Sequence, residues 1–319
     1  MAATSRDKTL KQPVKIMSMT ELQEAIRKKL SEMNAILLVH YYQSGEIQDI
    51  ADILGDSLAL SIEAARTDAE IIVFAGVRFM AESASIMSPE KTVLLPVQEA
   101  GCPLADMITV EQLRAFREEN SDVAVVTYVN SSAEIKAESD ICCTSANAVK
   151  VVNSLTEATK VLMVPDGNLA RYVALNTDKE IIPWRGYCPV HHFVTPDEVA
   201  RVKARYPNAK FAAHPECAPQ VLAMADFVGS TGGIIRFARE SETSELIVGT
   251  ESGIMHQLKK ENPGKRFIPV SEKIICRDMK YTSLNDILES LVAMQYVIDV
   301  PEEIRIPAQK ALKRMLDLS

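Results

Sequence analysis

Long apolar runs are missing from the 319-residue chain, since stretches such as 71–75 reach only strand length, whereas a bilayer span needs about 20 apolar residues. No membrane-spanning segment is expected. Glycine is sparse at 12 residues and aromatics make up only 5%, while 47% hydrophobic and 24% charged content is that of an ordinary globular protein. Collagen-like, disordered and coiled-coil classes are thereby excluded. No lysine/arginine block stands out against a net charge of -8, so there is no electrostatic footprint for nucleic acid. The expected partner is a small molecule. The first fifteen residues lack an apolar h-region and a small-residue cleavage site, and read as a frayed tail and not a signal peptide. A cytoplasmic location is expected.

The six cysteines include no C-x-x-C pair. A zinc-ribbon or thioredoxin-type site is not indicated, and cysteines in a long chain without an export signal do not make a disulfide framework. H-E-x-x-H, G-x-S-x-G and G-x-x-x-x-G-K-[ST] are absent too, which removes support for helical zinc sites, serine hydrolases and P-loop enzymes.

What the chain does contain is alternation. Short apolar runs flanked by glycine, proline, serine or aspartate exchange with segments of helical i, i+3, i+4 spacing, a pattern that predicts βαβ units and parallel sheets. Nine strands are expected, at 35–39, 71–75, 92–95, 123–128, 161–164, 180–183, 210–213, 245–248 and 266–270. Length alone suggests roughly two domains at about 150 residues each. Self-comparison corrects that to three.

Each of three groups opens with an amphipathic helix (20–33, 110–120, 196–206) and a strand ending in polar residues. Those ends are His40-Tyr41-Tyr42, Tyr128-Val129-Asn130 and His214-Pro215-Glu216, with His40, Tyr128 and His214 spaced by 88 and 86 residues. A hydroxyl cluster then precedes a helix: Gly55-Asp56-Ser57, Thr144-Ser145-Ala146-Asn147 and Gly229-Ser230-Thr231-Gly232-Gly233, where Ser57, Ser145 and Thr231 again step by 88 and 86. Each group closes with a strand and a loop bearing one cysteine, Cys102, Cys188 and Cys276, spaced by 86 and 88. Three landmarks thus share one period. The predicted fold is α/β, with three homologous αβα units (three-layer, parallel-sheet) in pseudo-threefold symmetry around a central site. Their expected bounds are 20–108, 109–194 and 195–283 after a polar tail at 1–19. The helical stretch 284–319, with Pro301 starting its last helix, is expected to pack back on the first unit and strap it to the third.

Ligands of parallel α/β sheets bind outside the carboxyl ends of the strands, where every one of these landmarks lies. Three thiolates meeting there suit an iron-sulfur cluster with one iron free of protein ligand, or a three-coordinate metal with an open position. The alternative for any single cysteine is plain burial in a loop. Cys142, Cys143 and Cys217 have no repeat partners and read as residues of the core or packed behind the site's ligands, the adjacent pair in a helix-like context. Helix N-termini are anion sites, and Gly229-Ser230-Thr231-Gly232-Gly233 is the best phosphate candidate. Three such sites suggest about three anionic groups on the ligands. His40, Tyr42, His214, Glu216 and either His191 or His192 supply proton-transfer groups. In His214-Pro215-Glu216 a period of two puts both ionisable side chains on one side of an extended segment.

Taken together, Val39-His40-Tyr41-Tyr42-Gln43, Gly55-Asp56-Ser57, Gly101-Cys102-Pro103, Thr127-Tyr128-Val129-Asn130-Ser131, Thr144-Ser145-Ala146-Asn147, Gly186-Tyr187-Cys188, His214-Pro215-Glu216-Cys217, Gly229-Ser230-Thr231 and the Cys276 region resemble the quinolinate synthase family. The resemblance runs from about residue 20 to residue 300. It implies a [4Fe-4S] cluster held by Cys102, Cys188 and Cys276. It implies condensation of iminoaspartate with dihydroxyacetone phosphate to quinolinate, phosphate and water in NAD biosynthesis, with possible hand-over of the imine from L-aspartate oxidase. It further implies Glu216 as general acid/base assisted by Tyr42 and His214, and His40, Ser57, Tyr128, Asn130, Ser145, His191, Ser230 and Thr231 as substrate-binding residues. Some family members carry the last cysteine in a C-x-x-C cluster; Cys276 has no such neighbour, which removes a redox switch at that loop. Two other classes compete: another cluster-dependent hydro-lyase, disfavoured by the phosphate candidate at 229–233, and a non-catalytic iron-sulfur sensor, disfavoured by the unpatterned acidic surface.

Overall fold

The computed structural model describes residues 17–319; residues 1–16, most of the expected tail, lie outside the described residues. Among the described residues twelve strands form three four-stranded sheets, and every strand pairing is parallel. The first sheet holds β1 (Ala35–His40), β2 (Ile53–Gly55), β3 (Ile71–Ala75) and β4 (Thr92–Leu94). The second holds β5 (Ala124–Tyr128), β6 (Ile141–Cys143), β7 (Lys160–Val164) and β8 (Glu180–Pro183), and the third β9 (Lys210–Ala213), β10 (Phe227–Val228), β11 (Glu245–Gly249) and β12 (Arg266–Pro269). The spatial orders are β2-β1-β3-β4, β6-β5-β7-β8 and β10-β9-β11-β12. One topology therefore occurs three times.

All nine expected strands are present, and the three missed ones, β2, β6 and β10, occupy the same edge position in each sheet. They are only 3, 3 and 2 residues long, too short for a period to be legible. Each is preceded by an aspartate whose carboxylate accepts a backbone N–H from the neighbouring strand: Asp52 from Leu37 (2.8 Å), Asp140 from Val125 (2.7 Å) and Asp226 from Phe211 (2.8 Å). Cys142 and Cys143 lie in β6 and not in a helix, because the pair is the buried, two-sided end of a parallel strand. The helices that open the groups, Met19–Glu32, Val110–Glu119 and Pro196–Arg205, all begin with a capping box, which satisfies two orphan amides at each start.

The core explains the C-terminal helices. One apolar cluster runs through the first and second sheets and includes Ala308, Ala311, Leu312 and Met315 of the last helix, Glu302–Leu316. The third sheet has its own clusters, which contain none of those residues. Accordingly the last helix packs on Arg78–Met87 of the first group and on Ala133–Ala137 and β6 of the second. The expected strap between first and third units is corrected to one between first and second, because the apolar face of this helix finds its partners there. Helix Leu284–Ala293 packs against Met19–Glu32 in the first group.

Candidate active site

In each sheet the chain goes from the first strand to one side and from the third to the other, so a crevice opens between their carboxyl ends. The three crevices contribute to one cavity. From the first group it is lined by His40, Tyr42, Ser57 and Cys102, from the second by Tyr128, Asn130, Ser145, Cys188 and His191, and from the third by His214, Glu216, Thr231 and Cys276. Every candidate residue but one thus reaches the same space. The exception is Ser230, which lines an outer cleft with Lys150 and Arg236.

Ser230 and the glycines beside it are already engaged. Ser230 Oγ donates to Asp56 (3.2 Å), Gly232 N–H donates to the same carboxylate oxygen (3.2 Å), and Gly233 N–H donates to Ser230 Oγ (3.1 Å). The 229–233 cluster therefore forms a closed contact between third and first groups, with Asp56 where an anion was expected. Thr231, by contrast, turns inward and donates to the Tyr42 hydroxyl at 2.8 Å.

Glu216 is the centre of the polar network. Its Oε2 lies 2.8 Å from His191 Nδ1 and 3.3 Å from His214 Nδ1, and both rings are buried and stacked with centroids 4.7 Å apart. Its Oε1 has only a 3.5 Å contact from the Asn130 amide. Burial pushes the Glu216 carboxyl up, but the fields of His214 and His191 outweigh it and hold it below the usual carboxylate range. Burial lowers His214, with Glu216 opposing, and takes His40 down to about 4. The two buried rings thus favour the charged form of Glu216, while burial disfavours the charged form of His214 and His40. Burial, reinforced by Glu216, raises both Tyr42 and Tyr128 well above the ordinary phenol value. His214 Nε2 is 3.1 Å from Ser145 Oγ, and the buried Asn130 Oδ1 has no protein partner among the described residues.

The choice between the adjacent histidines is settled by burial. His191 is 1% exposed in the cavity wall, whereas His192 stacks on Tyr187 and pairs with Asn168. Sequence reading missed four residues of the network. Thr250 joins the Tyr42 hydroxyl (2.5 Å) to His191 Nε2 (2.9 Å), and Asn168 Nδ2 donates to the Glu216 carbonyl at 2.9 Å. Asp166 and Glu251 accept the amides of Cys188 and Cys276. All four follow the third strand of a sheet, a position that the self-comparison never aligned.

Two donor sets could hold a metal. Cys102, Cys188 and Cys276 are free thiols in the wall of the one cavity. Burial pushes all three up, Cys276 to about 11, and the mutual fields of Cys276 on Cys102 and, after that of Glu216, of Cys102 on Cys188 raise them further. Three soft sulfur donors that repel one another as thiolates fit a multinuclear iron centre, whose charge relieves that repulsion. Among the described residues a second set, Cys188, His191 and Glu216, brings one ligand atom each within 4.8 Å of the others. It shares only Cys188 with the first.

Comparison with known proteins adds a family. Residues 24–317 match the family model described as quinolinate synthetase A protein. Quinolinate synthase of Geotalea uraniireducens (strain Rf4) is 58% identical over 296 residues, 93% of this chain and 97% of the relative. Quinolinate synthase 1 of Methanosarcina acetivorans is 54% identical over 300 residues, 94% of this chain and 98% of the relative. Quinolinate synthase of Alkaliphilus metalliredigens is 53% identical over 303 residues, covering 95% of this chain and all of the relative.

Proposed function

The chain belongs to the quinolinate synthase family, and from that premise we propose that it condenses iminoaspartate with dihydroxyacetone phosphate to give quinolinate, phosphate and water for NAD biosynthesis. The observation that carries the reading is the single cavity lined by Glu216, three buried histidines and three cysteines from three units. In this reading Cys102, Cys188 and Cys276 hold a [4Fe-4S] cluster. When bound, it supplies a Lewis-acidic iron without a protein ligand for substrate oxygen.

The chain's own residues supply the proton chemistry. Because Oε2 of Glu216 is taken by both histidines, Oε1 is the atom that receives a substrate proton. His214 and His191 orient the carboxylate and stabilise its charge. The Tyr42 hydroxyl, kept protonated by burial, donates to a developing oxyanion or leaving hydroxyl. The Tyr128 and Ser145 hydroxyls and the Asn130 amide hold substrate carboxylates and hydroxyls, the unpartnered Asn130 Oδ1 being free for a donor such as the imine nitrogen. The Ser57 and Thr231 hydroxyls line the same cavity as further donors, the ends of their helices being already capped by Asp56. No described helix is long and apolar enough to cross a membrane. The reading locates the protein in the cytoplasm, downstream of an enzyme that oxidises aspartate.

The Cys188, His191 and Glu216 set favours a second reading, a single divalent ion in a Cys/His/carboxylate site. Metal analysis separates the two. Protein purified without oxygen should carry about four irons per chain with matching sulfide, and Cys102→Ser, Cys188→Ser and Cys276→Ser should each lose them; a full cluster in any one variant removes that ligand. The decisive assay is anaerobic, with iminoaspartate generated in place and dihydroxyacetone phosphate added. Quinolinate is expected. Its absence from protein with an intact cluster would overturn the proposal.

A further inference from the structure

Every unit ties the end of its third strand to its own cysteine loop. The N–H of Arg78 donates to the carbonyl of Ala100 (2.8 Å), that of Gly167 to Gly186 (2.8 Å) and that of Ser252 to Ile274 (2.9 Å). Strand register makes these ties equivalent. Ala75 pairs with Val39, Val164 with Thr127 and Gly249 with Ala213, and each donor lies three residues beyond that pairing.

One residue before each donor stand Val77, Asp166 and Glu251. Asp166 Oδ2 accepts the N–H of Cys188 at 3.2 Å while Oδ1 accepts that of Leu169 at 2.7 Å. Glu251 does the same with its own pair, Oε1 accepting the N–H of Cys276 at 3.2 Å and Oε2 that of Gly253 at 2.6 Å. The two carboxylates are 1% and 0% exposed. Each clamps a cysteine amide to a rigid strand end. The first unit has valine at this position, and its Cys102 loop leans instead on Asp278, which accepts the N–H of Gly101.

We infer that Asp166 and Glu251 are positioning residues that fix the direction of the Cys188 and Cys276 side chains toward the cluster, a device used by two of the three units. The inference rests on the reading that these cysteines hold a [4Fe-4S] cluster. A fully buried acidic side chain needs donors just as a loop amide needs an acceptor, and a carboxylate is the strongest acceptor a side chain offers. Without it the backbone at the cysteine is free to turn, and the sulfur leaves the spacing that three-point ligation requires. Partners of metal ligands in other sites contribute about ten- to a hundred-fold in metal affinity.

The test compares wild type with Asp166→Ala, Glu251→Ala, Asp166→Asn, Glu251→Gln and a control, Asn262→Ala, which removes a buried hydrogen bond of the third unit to Leu258. Each protein is reconstituted anaerobically with iron and sulfide, and release of iron to a chelator is timed. Far-UV circular dichroism of the apo forms checks folding. The alanine variants should release iron about ten- to a hundred-fold faster than wild type. The amide variants keep one acceptor oxygen for the two amide donors and should fall between, Glu251→Gln nearer to alanine because it also loses the ion pair with Lys280. The electron paramagnetic resonance spectrum of the reduced cluster should change in all four and stay unaltered in Asn262→Ala. If an alanine variant does not fold, its amide counterpart decides, and wild-type release and spectra in that counterpart overturn the inference. The same outcome in folded alanine variants, beside a wild type that holds its cluster, overturns it alone. A wild type that takes up no cluster defeats the cofactor reading and the inference together.

Discussion

Replacing Glu216 by glutamine removes one buried charge and almost no volume. The lost charge sits 2.8 Å from His191 Nδ1 and 3.3 Å from His214 Nδ1, on a side chain 3% exposed. Hydrogen bonds to a charged group contribute about 1.5–3 kcal/mol each and neutral ones about 1. Because two such bonds are lost and the amide retains one neutral bond, a loss of about 2–5 kcal/mol in folding stability is expected. That lies below the roughly 5–15 kcal/mol by which a folded domain is stable. The catalytic loss is larger, since a general base contributes about a hundred- to ten-thousand-fold, or about 3–5 kcal/mol of barrier. Glu216→Gln should therefore fold, keep its iron and sulfide, and form quinolinate at least about a hundred-fold more slowly. The assay is anaerobic quinolinate formation with cluster content measured on the same sample. Turnover within about tenfold of wild type, with the cluster intact, would refute the role assigned to Oε1.

Two further outcomes concern stability. Burial takes His40 to about 4 from the ordinary imidazole value of 6.5, so between those pH values the unfolded chain binds more protons than the folded one. Stability should fall on acidification through that window, by up to about 3 kcal/mol, and denaturant titrations should find a shallower pH slope in His40→Gln; an unchanged slope would show that His40 titrates normally. Leu312 is fully buried in the cluster shared by the first and second sheets. Leu312→Ala should cost about 2–5 kcal/mol by urea unfolding, and a negligible loss would mean that the last helix does not strap those units.

The repeat was legible because it is written locally. A strand, a polar turn, a hydroxyl cluster and a cysteine recur at nearly constant spacing, and each depends on neighbours within a few positions. The missed edge strands were less legible because two or three residues are too few to show a period. Even so, Asp52, Asp140 and Asp226 kept the period and marked them. Asp166 and Glu251 fall outside that shared step, and their meaning depends on a cysteine amide more than twenty residues away.

By itself the sequence determined three α/β units, the chemical groups at their strand ends and the cysteine each one carries. Only the tertiary structure decided that His191 and not His192 meets Glu216, that Asp56 closes the 229–233 turn, and that the last helix joins the first two units. The physical reason is range. Periodicity and turn chemistry act between near neighbours, whereas these contacts join residues far apart in the chain, whose approach is set by how three finished sheets bury their remaining apolar faces against one another.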